Sequence, residues 1–162
     1  FFPRHFEAGH SRPGVAWSED EQVVADIRQA REVGRADIVI PFMHWGEEHR
    51  PLANDRQREL ARLMIDAGAD AVVGTHPHVV QDAETYKGKP IVYSLGNFIF
   101  DGFSDEDNNT GWVLHLEVGR DGVKALSHHV ARMDRHGTPH PLHPQAKPLP
   151  TASPSAPRPS GP

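Results

Sequence analysis

The sequence contains no cysteine among its 162 residues. Disulfides and thiolate metal sites are therefore excluded, and any metal site has to be built from His, Asp, Glu or Asn side chains. No apolar run approaches the roughly 20 residues that a membrane-spanning helix needs, and no sustained basic stretch is present. Together with a net charge of −5, the lack of a basic stretch argues against nucleic acid as the main partner.

Aromatic residues are missing from the C-terminal part of the chain. From Gly137 onward, the sequence holds nine of the 15 prolines and no Phe, Trp or Tyr. A segment of this composition has little with which to build a core. We therefore predict one folded domain over residues 1–136 and a disordered Pro-rich tail over residues 137–162.

The folded part begins with a helix signal. Residues 18–21, Ser-Glu-Asp-Glu, are typical of a capping box in which Ser18 is the N-cap and Glu21 reaches back to it. Apolar residues then recur at three- and four-residue spacing as far as Val33, and Gly34 ends the pattern. This pattern predicts an amphipathic helix that packs one face on the core.

A strand, a helix and a second strand follow in that order. Residues 37–43 form an almost unbroken apolar run, which predicts a strand buried on both faces of a parallel sheet. The next helix is expected to begin near Asn54 and to end at Gly68, and residues 69–74 form the second buried strand. The order is typical of a βαβ unit with parallel strands, so the predicted fold class is α/β.

Further strands are predicted after this unit. Residues 91–95 form a third apolar strand, and residues 112–118 and 123–133 flank an Asp-Gly turn signal that favours an antiparallel hairpin. The acidic loop between them, residues 104–109, lacks the glycine and the final glutamate of an EF-hand loop and is interpreted as solvated. Three histidines on the hairpin are expected to face outward: His115, His128 and His129.

Histidines follow both strands of the predicted βαβ unit. His44 closes the first strand, and His76 and His78 follow the second. Because ligands collect at the carboxyl ends of parallel strands, three imidazoles should meet at one edge of the sheet. In an extended segment the side chains at i and i+2 point to one side, and Pro77 favours extended geometry at His76. The pattern predicts a metal or catalytic site, whereas His-x-His alone is equally consistent with a polar loop.

Asn97 follows the third apolar strand. Gly96 permits a tight bend there, and the amide of Asn97 offers both an oxygen and donors at the strand end. One interpretation is a site residue that orients a substrate or a ligand. The other is an asparagine that only serves a turn.

Three ordered motifs resemble a known family. They are HWGEE at residues 44–48, IDAGADAVVGTHPHVVQ at residues 65–81 and YKGKPIVYSLGNFIFD at residues 86–101. Together they closely resemble the capsule-synthesis CapA family, which is associated with poly-γ-glutamate capsules and belongs to the calcineurin-like metallophosphoesterase superfamily. The resemblance covers about residues 18–130.

The resemblance implies a metal site at specific positions. His44 resembles the single histidine ligand that follows a strand in the superfamily. His76 and His78 resemble its final Gly-x-His-x-His element, which would give one ligand to each of two divalent ions, Mn, Fe or Zn. Glu47 and Asn97 match residues of the CapA branch, so the resemblance implies a catalytic role in the pocket for both.

The earlier motifs of the superfamily are not found in residues 1–17. These motifs are an Asp-x-His, a Gly-Asp that bridges the metals and an Asn-His. We therefore expect the C-terminal half of a metallophosphoesterase-like α/β sandwich: a βαβ unit with buried strands plus a C-terminal antiparallel hairpin. Three histidines without the bridging aspartate make an incomplete binuclear site, and the missing strands should leave a sheet edge uncovered.

The function implied by the resemblance is capsular poly-γ-glutamate synthesis or export, with a metal-dependent hydrolase site that is incomplete in this chain. The expected partners are an anionic polymer or a phosphoester substrate and other capsule-synthesis proteins, and not nucleic acid. The alternative is a non-catalytic component of capsule assembly that binds polymer or partner proteins. A location in the cell envelope or outside the cytoplasm is implied by the resemblance alone.

Overall fold

The structure, a computed structural model, describes residues 6–101, 103–143 and 145–148. Within these residues the chain forms two helices and eight strands, in chain order α1 (Asp20–Glu32), β1 (Phe42–His44), α2 (Asp55–Ala67), β2 (Val72–Thr75), β3 (Ala83–Tyr86), β4 (Lys89–Val92), β5 (Thr110–Gly119), β6 (Gly122–Met133), β7 (Pro139–Pro141) and β8 (Lys147–Pro148). The predicted α/β class is confirmed.

The first sheet contains the predicted βαβ unit. Its strand order is β1-β2-β4-β3. Strands β1 and β2 are parallel, as are β2 and β4, while β3 turns back antiparallel to β4. The carboxyl ends of β1, β2 and β4 therefore lie at one edge of this sheet, where the loops that carry the histidines and Asn97 begin.

Helix α2 supplies much of the core that supports this edge. Its buried residues include Leu60, Met64 and Ile65, and each such side chain contributes about 1.5–3 kcal/mol when fully buried. Asn54 caps the helix as predicted, because its side chain accepts a hydrogen bond from the backbone N–H of Gln57 while Gln57 reaches back to the N-cap. The helix ends at Gly68, whose φ of 117° is in the left-handed region.

The predicted capping box of α1 is wrong. The N-cap is Glu19 rather than Ser18, and its side chain makes no capping hydrogen bond. A tertiary contact takes the place of the local one: Arg56 of α2 makes an ion pair with Asp20 at 2.5 Å and also donates to the carbonyl of Ser18. The start of α1 is thus held by a residue far away in sequence.

The first predicted strand is less buried than its apolar run indicated. Only Phe42–His44 forms a strand, and β1 lies at the edge of its sheet, where Phe42 is 66% exposed. The residues before it still approach the sheet, since the carbonyl of Val39 accepts from the N–H of Asp70 and that of Pro41 from Val73. Among the described residues, no strand pairs with the outer side of β1, as expected from an uncovered sheet edge.

The second sheet is built on the predicted hairpin. Strands β5 and β6 pair antiparallel over their whole length, and both β7 and β8 pair with β6. Strands β7 and β8 both lie within the range predicted as a disordered Pro-rich tail, residues 137–162. Residues 144 and 149–162 of that range lie outside the described residues, so the extent of the tail stays a prediction. In the part of the chain that the structure describes, neither helix is long and apolar enough to cross a membrane.

One histidine of the hairpin does not face outward as predicted. His128 is only 4% exposed, and its ring lies 4.2 Å from that of Trp112. Its Nδ1 atom is buried without a hydrogen-bond partner in the described structure. Burial lowers the pKa of His128, so the ring packs in its neutral form.

Candidate metal centre

The parallel register of β1 and β2 brings His44 and His76 together. His44 lies opposite Thr75 in the register, and His76 follows Thr75 directly. The two imidazole rings are 4.3 Å apart between centroids. The last residue of β1 and the first residue after β2 therefore meet at the edge of the sheet, as their positions at the strand ends predicted.

The turn that carries His76 and His78 is not extended. The φ angle is +102° at His76 and +60° at His78, both in the left-handed region that side chains rarely adopt. Tertiary hydrogen bonds hold the turn, since the N–H of His49 donates to the carbonyl of Pro77 at 2.7 Å and the side chain of Asn97 donates to that of His78 at 3.2 Å. The rings of His76 and His78 are still close, with centroids 6.0 Å apart. The surrounding hydrogen bonds hold the backbone of both residues in this unfavourable conformation.

A carboxylate completes a cluster with these two histidines. Glu48, His76 and His78 each offer one ligand atom, and these atoms lie within 4.8 Å of one another. His44 is outside this group of three, although its ring packs on that of His76. Glu48 was not singled out from the sequence, where the only signal was its place in the HWGEE motif beside Glu47.

Glu47 precedes Glu48 in the same loop but is not a member of the cluster. Its carboxylate makes an ion pair with Arg50 at 3.5 Å and lines an open groove with Pro51 and Leu52. Its side chain is 65% exposed. The structure therefore does not place Glu47 in the cluster, and its predicted catalytic role stays a prediction.

The side chain of Asn97 determines the tautomer of the His78 ring. Its amide nitrogen donates to two backbone carbonyls, that of Asn108 at 2.9 Å and that of His78 at 3.2 Å. Because a carbonyl only accepts, the NH₂ group has to face these atoms, and the amide oxygen faces Nδ1 of His78 at 2.9 Å. Nδ1 must therefore carry the proton, and the lone pair of Nε2 is available to a ligand.

The electrostatic surroundings keep His76 neutral. Burial lowers the pKa of this imidazole, and the neighbouring His44 lowers it further. A neutral imidazole is the form that binds a metal ion, and two of them with one carboxylate suit Mn, Fe or Zn. The donor set therefore fits a divalent transition-metal ion.

The loop predicted as a solvated acidic segment packs against the cluster. Asn108 is only 5% exposed, and its side chain lies within hydrogen-bond distance of Nδ1 of His49. Phe103, at the start of the loop, stacks on Phe100 with centroids 5.3 Å apart, and Phe100 lies 5.1 Å from the ring of His78. The loop thus forms one wall of the site, which its acidic composition did not indicate.

Comparison with known proteins gives one family and several relatives. The model of the family "Bacterial capsule synthesis protein PGA_cap" matches residues 2–102. The PGA biosynthesis protein CapA of Bacillus subtilis is 50% identical over 96 residues, which are 59% of this chain and 25% of that protein. The capsule biosynthesis protein CapA of Bacillus anthracis is 38% identical over 138 residues, or 83% of this chain and 33% of that protein.

A third relative is also named for the synthesis of a polymer of amino acids. A probable polyglutamine synthesis accessory protein of Mycobacterium tuberculosis is 33% identical over 106 residues, which are 61% of this chain and 27% of that protein. The chain thus spans between a quarter and a third of the length of these three curated relatives. The matched segment of the family model includes both the HWGEE loop and the two histidines of the turn.

Proposed function

Because the chain belongs to the bacterial capsule synthesis protein family PGA_cap, we propose that it takes part in the synthesis or export of capsular poly-γ-glutamate. The names of its relatives support this proposal, since two are capsule or PGA biosynthesis proteins and a third is a probable polyglutamine synthesis accessory protein. The finer proposal concerns the site: the chain contributes part of a metal-dependent hydrolase centre.

The observation that carries the finer proposal is the cluster of Glu48, His76 and His78. These three residues would hold one divalent ion, with His44 beside them. When bound, such an ion would activate water and polarise a phosphoryl or carbonyl oxygen. The chain's own contribution is to present unprotonated nitrogens: Asn97 directs the proton of His78 to Nδ1, and burial keeps His76 neutral.

The charge around the cluster bears on the substrate. Glu47 and Glu48 are both more than half exposed beside the histidines, and the whole chain has a net charge of −5. An anionic polymer or a phosphoester would be repelled by these carboxylates. A bound cation is therefore what would let an anionic substrate approach, so metal binding should precede substrate binding.

A second candidate function is a non-catalytic binding role in capsule assembly. It is favoured by a run of exposed apolar side chains beside the site, since Phe98, Ile99 and Phe100 are 47%, 74% and 42% exposed. Contiguous apolar residues on a surface are typical of contacts with other proteins. Hydrolysis assays on the metal-bound chain distinguish this role from catalysis.

The test is metal binding by the metal-free chain, measured by titration calorimetry with Zn²⁺ and with Mn²⁺, followed by hydrolysis assays on bis-(p-nitrophenyl) phosphate and on poly-γ-glutamate. We expect one site that His76→Ala or His78→Ala weakens at least about tenfold, because each removes a ligand. His115→Ala is the matched control, since His115 lies on an exposed face of β5, and it should bind as the wild type does.

Each outcome decides between the candidates. Binding that depends on both histidines, with hydrolysis of either substrate, supports the hydrolase. Metal binding without hydrolysis of either substrate supports the second candidate. If the wild-type chain binds neither ion, or if the histidine variants bind as tightly as His115→Ala, the metal centre is refuted.

A further inference from the structure

We propose that Asn108 is a positioning residue of the candidate metal centre, which sets the hydrogen-bonding state of His78 through Asn97 and the orientation of His49 directly. The inference rests on the proposed metal centre and adds to it a residue from a different part of the chain. Asn108 lies in the loop between β4 and β5, 30 residues beyond His78 in sequence. It is buried, with only 5% of its surface exposed.

The first step runs through the backbone of Asn108. Its carbonyl accepts a hydrogen bond from the amide nitrogen of Asn97 at 2.9 Å, which is shorter than the bond that the same nitrogen donates to the carbonyl of His78. These two acceptors force the amide oxygen of Asn97 toward Nδ1 of His78. If the carbonyl of Asn108 moved away, the Asn97 amide could turn, and Nδ1 of His78 would no longer have to carry its proton.

The second step runs through the side chain of Asn108. Its amide oxygen and nitrogen lie 3.2 Å and 2.8 Å from Nδ1 of His49. The other ring nitrogen of His49 is then directed toward Glu48, whose carboxylate lies 3.9 Å from Nε2. The backbone of His49 is in the left-handed region, with φ of +61°, so this orientation depends on contacts rather than on local preference.

The loop is built to hold Asn108 in place. The side chain of Asp105 accepts from the backbone N–H of Asn108 at 2.9 Å. Asn109 closes the loop, because its side chain accepts from the N–H of Phe103 and donates to the carbonyls of Phe103 and Asp105. An ion pair between Glu106 and Arg132 fastens the loop to β6. The position of Asn108 is therefore fixed from both sides by the second sheet and by the loop itself.

The arrangement joins three loops that are distant in sequence. The loop after β1 brings Glu48 and His49, the turn after β2 brings His78, and the loop after β4 brings Asn97. Asn108 contacts His49 and Asn97 directly. Residues that orient metal ligands in this way commonly change metal affinity by about 10–100-fold when they are replaced.

The first measurement needs only the metal-free wild-type chain. Two-bond ¹H–¹⁵N correlation spectra report which nitrogen of each histidine carries the proton. We expect His78 to carry it on Nδ1. If His78 carries it on Nε2, the proposal is overturned, whatever the variants or the metal titrations show.

The second measurement compares Asn108→Ala with Asp107→Ala, an exposed neighbour in the same loop. Asn108→Ala removes the side-chain contact with His49 but keeps the backbone carbonyl that holds Asn97. We expect this variant to keep the fold by circular dichroism, to keep the proton of His78 on Nδ1 and to bind Zn²⁺ about 10–100-fold more weakly. Asp107→Ala should match the wild type in all three. A folded Asn108→Ala chain with unchanged Zn²⁺ affinity would overturn the proposal.

A third comparison covers an Asn108→Ala chain that fails to fold. His49→Ala removes the partner of the Asn108 side chain without touching the loop, and Asn97→Ala removes the bond to His78. We expect the Asn97 variant to change the His78 spectrum and both variants to weaken Zn²⁺ binding, and unchanged results in both would overturn the proposal. Failure of the wild-type chain to bind Zn²⁺ would refute the proposed function, while the His78 spectra would still decide the positioning role.

Discussion

At the residue scale, Gly74 determines how closely the loop of the candidate metal centre can approach the sheet. A Cβ atom at this position would lie closer than 3.0 Å to the carbonyl oxygen of Tyr93 and to Nε1 of Trp45. The indole of Trp45 donates to that same carbonyl at 2.9 Å. Because Trp45 follows His44 directly, this contact anchors the start of the HWGEE loop to the core.

We predict that Gly74→Ala destabilises the chain. The added methyl group has to displace the Tyr93 backbone or the Trp45 ring, and overpacking of this kind costs about 1–3 kcal/mol. Urea denaturation followed by Trp fluorescence measures the free energy of unfolding. Gly9→Ala is the control, since its Cβ would meet only ordinary van der Waals contact. Equal stability of the two variants would show that the close packing at Gly74 does not limit the fold.

At the element scale, the start of α2 is tied to the loop that carries Glu48. Asn54 caps the helix together with Gln57, and the side-chain amide of Gln57 donates to that of Gln81 at 2.9 Å. Gln81 in turn donates to the carbonyls of Arg50 and Leu52. Gln57 and Gln81 are both only 2% exposed. Their buried side-chain amides form a hydrogen bond with each other, and that of Gln81 also donates to backbone carbonyls of the loop.

We therefore predict that Asn54→Ala weakens both the helix and the loop. Loss of an N-cap asparagine costs about 0.5–2 kcal/mol of stability, and thermal unfolding measures this cost. Amide hydrogen exchange should also become faster in residues 50–54, because the backbone N–H of Gln57 loses its acceptor and the first turn, which holds the Gln57 side chain against Gln81, becomes less firmly fixed. Glu59→Ala, an exposed change in the same helix, is expected to stay within about 0.5 kcal/mol of the wild type. Unchanged exchange in the cap variant would show that cap and loop are independent.

At the scale of the whole molecule, Glu84 connects helix α2 to the first sheet. Its carboxylate accepts two hydrogen bonds from Arg62 at 2.9 Å and one from the hydroxyl of Tyr93 at 3.0 Å, and Arg58 lies 3.8 Å away. Burial alone would raise the pKa of Glu84, but the hydrogen bonds from Arg62 and Tyr93 bring the pKa below the usual value of 4.5. The Glu84–Arg62 ion pair thus stabilises the fold while the Glu84 carboxylate is ionised.

The sign of the pH dependence follows from this lowered pKa. The unfolded chain takes up a proton on Glu84 at a higher pH than the folded chain does, so the stabilisation is complete above about pH 4.5 and is lost as the pH falls through the folded-state pKa. We predict that Glu84→Gln lowers the melting temperature at pH 7 and that the difference from the wild type shrinks in acid.

Melting curves between pH 7 and pH 3 measure this difference. Glu32→Gln is the control, because Glu32 is an exposed carboxylate at the end of α1, and it should leave the profile unchanged. A Glu84→Gln profile parallel to that of the wild type throughout would contradict the prediction.

The sequence by itself determined the order of the elements and the place of the site. Apolar periodicity indicated α2 and the parallel strands because it reflects which side of each element is buried, and His44, His76 and His78 were found because each follows a strand. Asn54 and Gly68 were predicted to bound α2 because caps are local signals. The HWGEE, THPH and GNF motifs then identified the family, which the family comparison confirmed.

Only the tertiary structure decided which side chains complete the site. Neighbouring Glu47 and Glu48 are indistinguishable by composition, and the backbone path between β1 and α2 directs Glu48 rather than Glu47 toward the histidines. The positive φ angles at His76 and His78 and the burial of Asn108 likewise accompany hydrogen bonds between loops far apart in sequence, such as His49 with Pro77 and His49 with Asn108. Such bonds leave no periodic trace in a sequence, because loop conformation is set by the partners that the fold brings near.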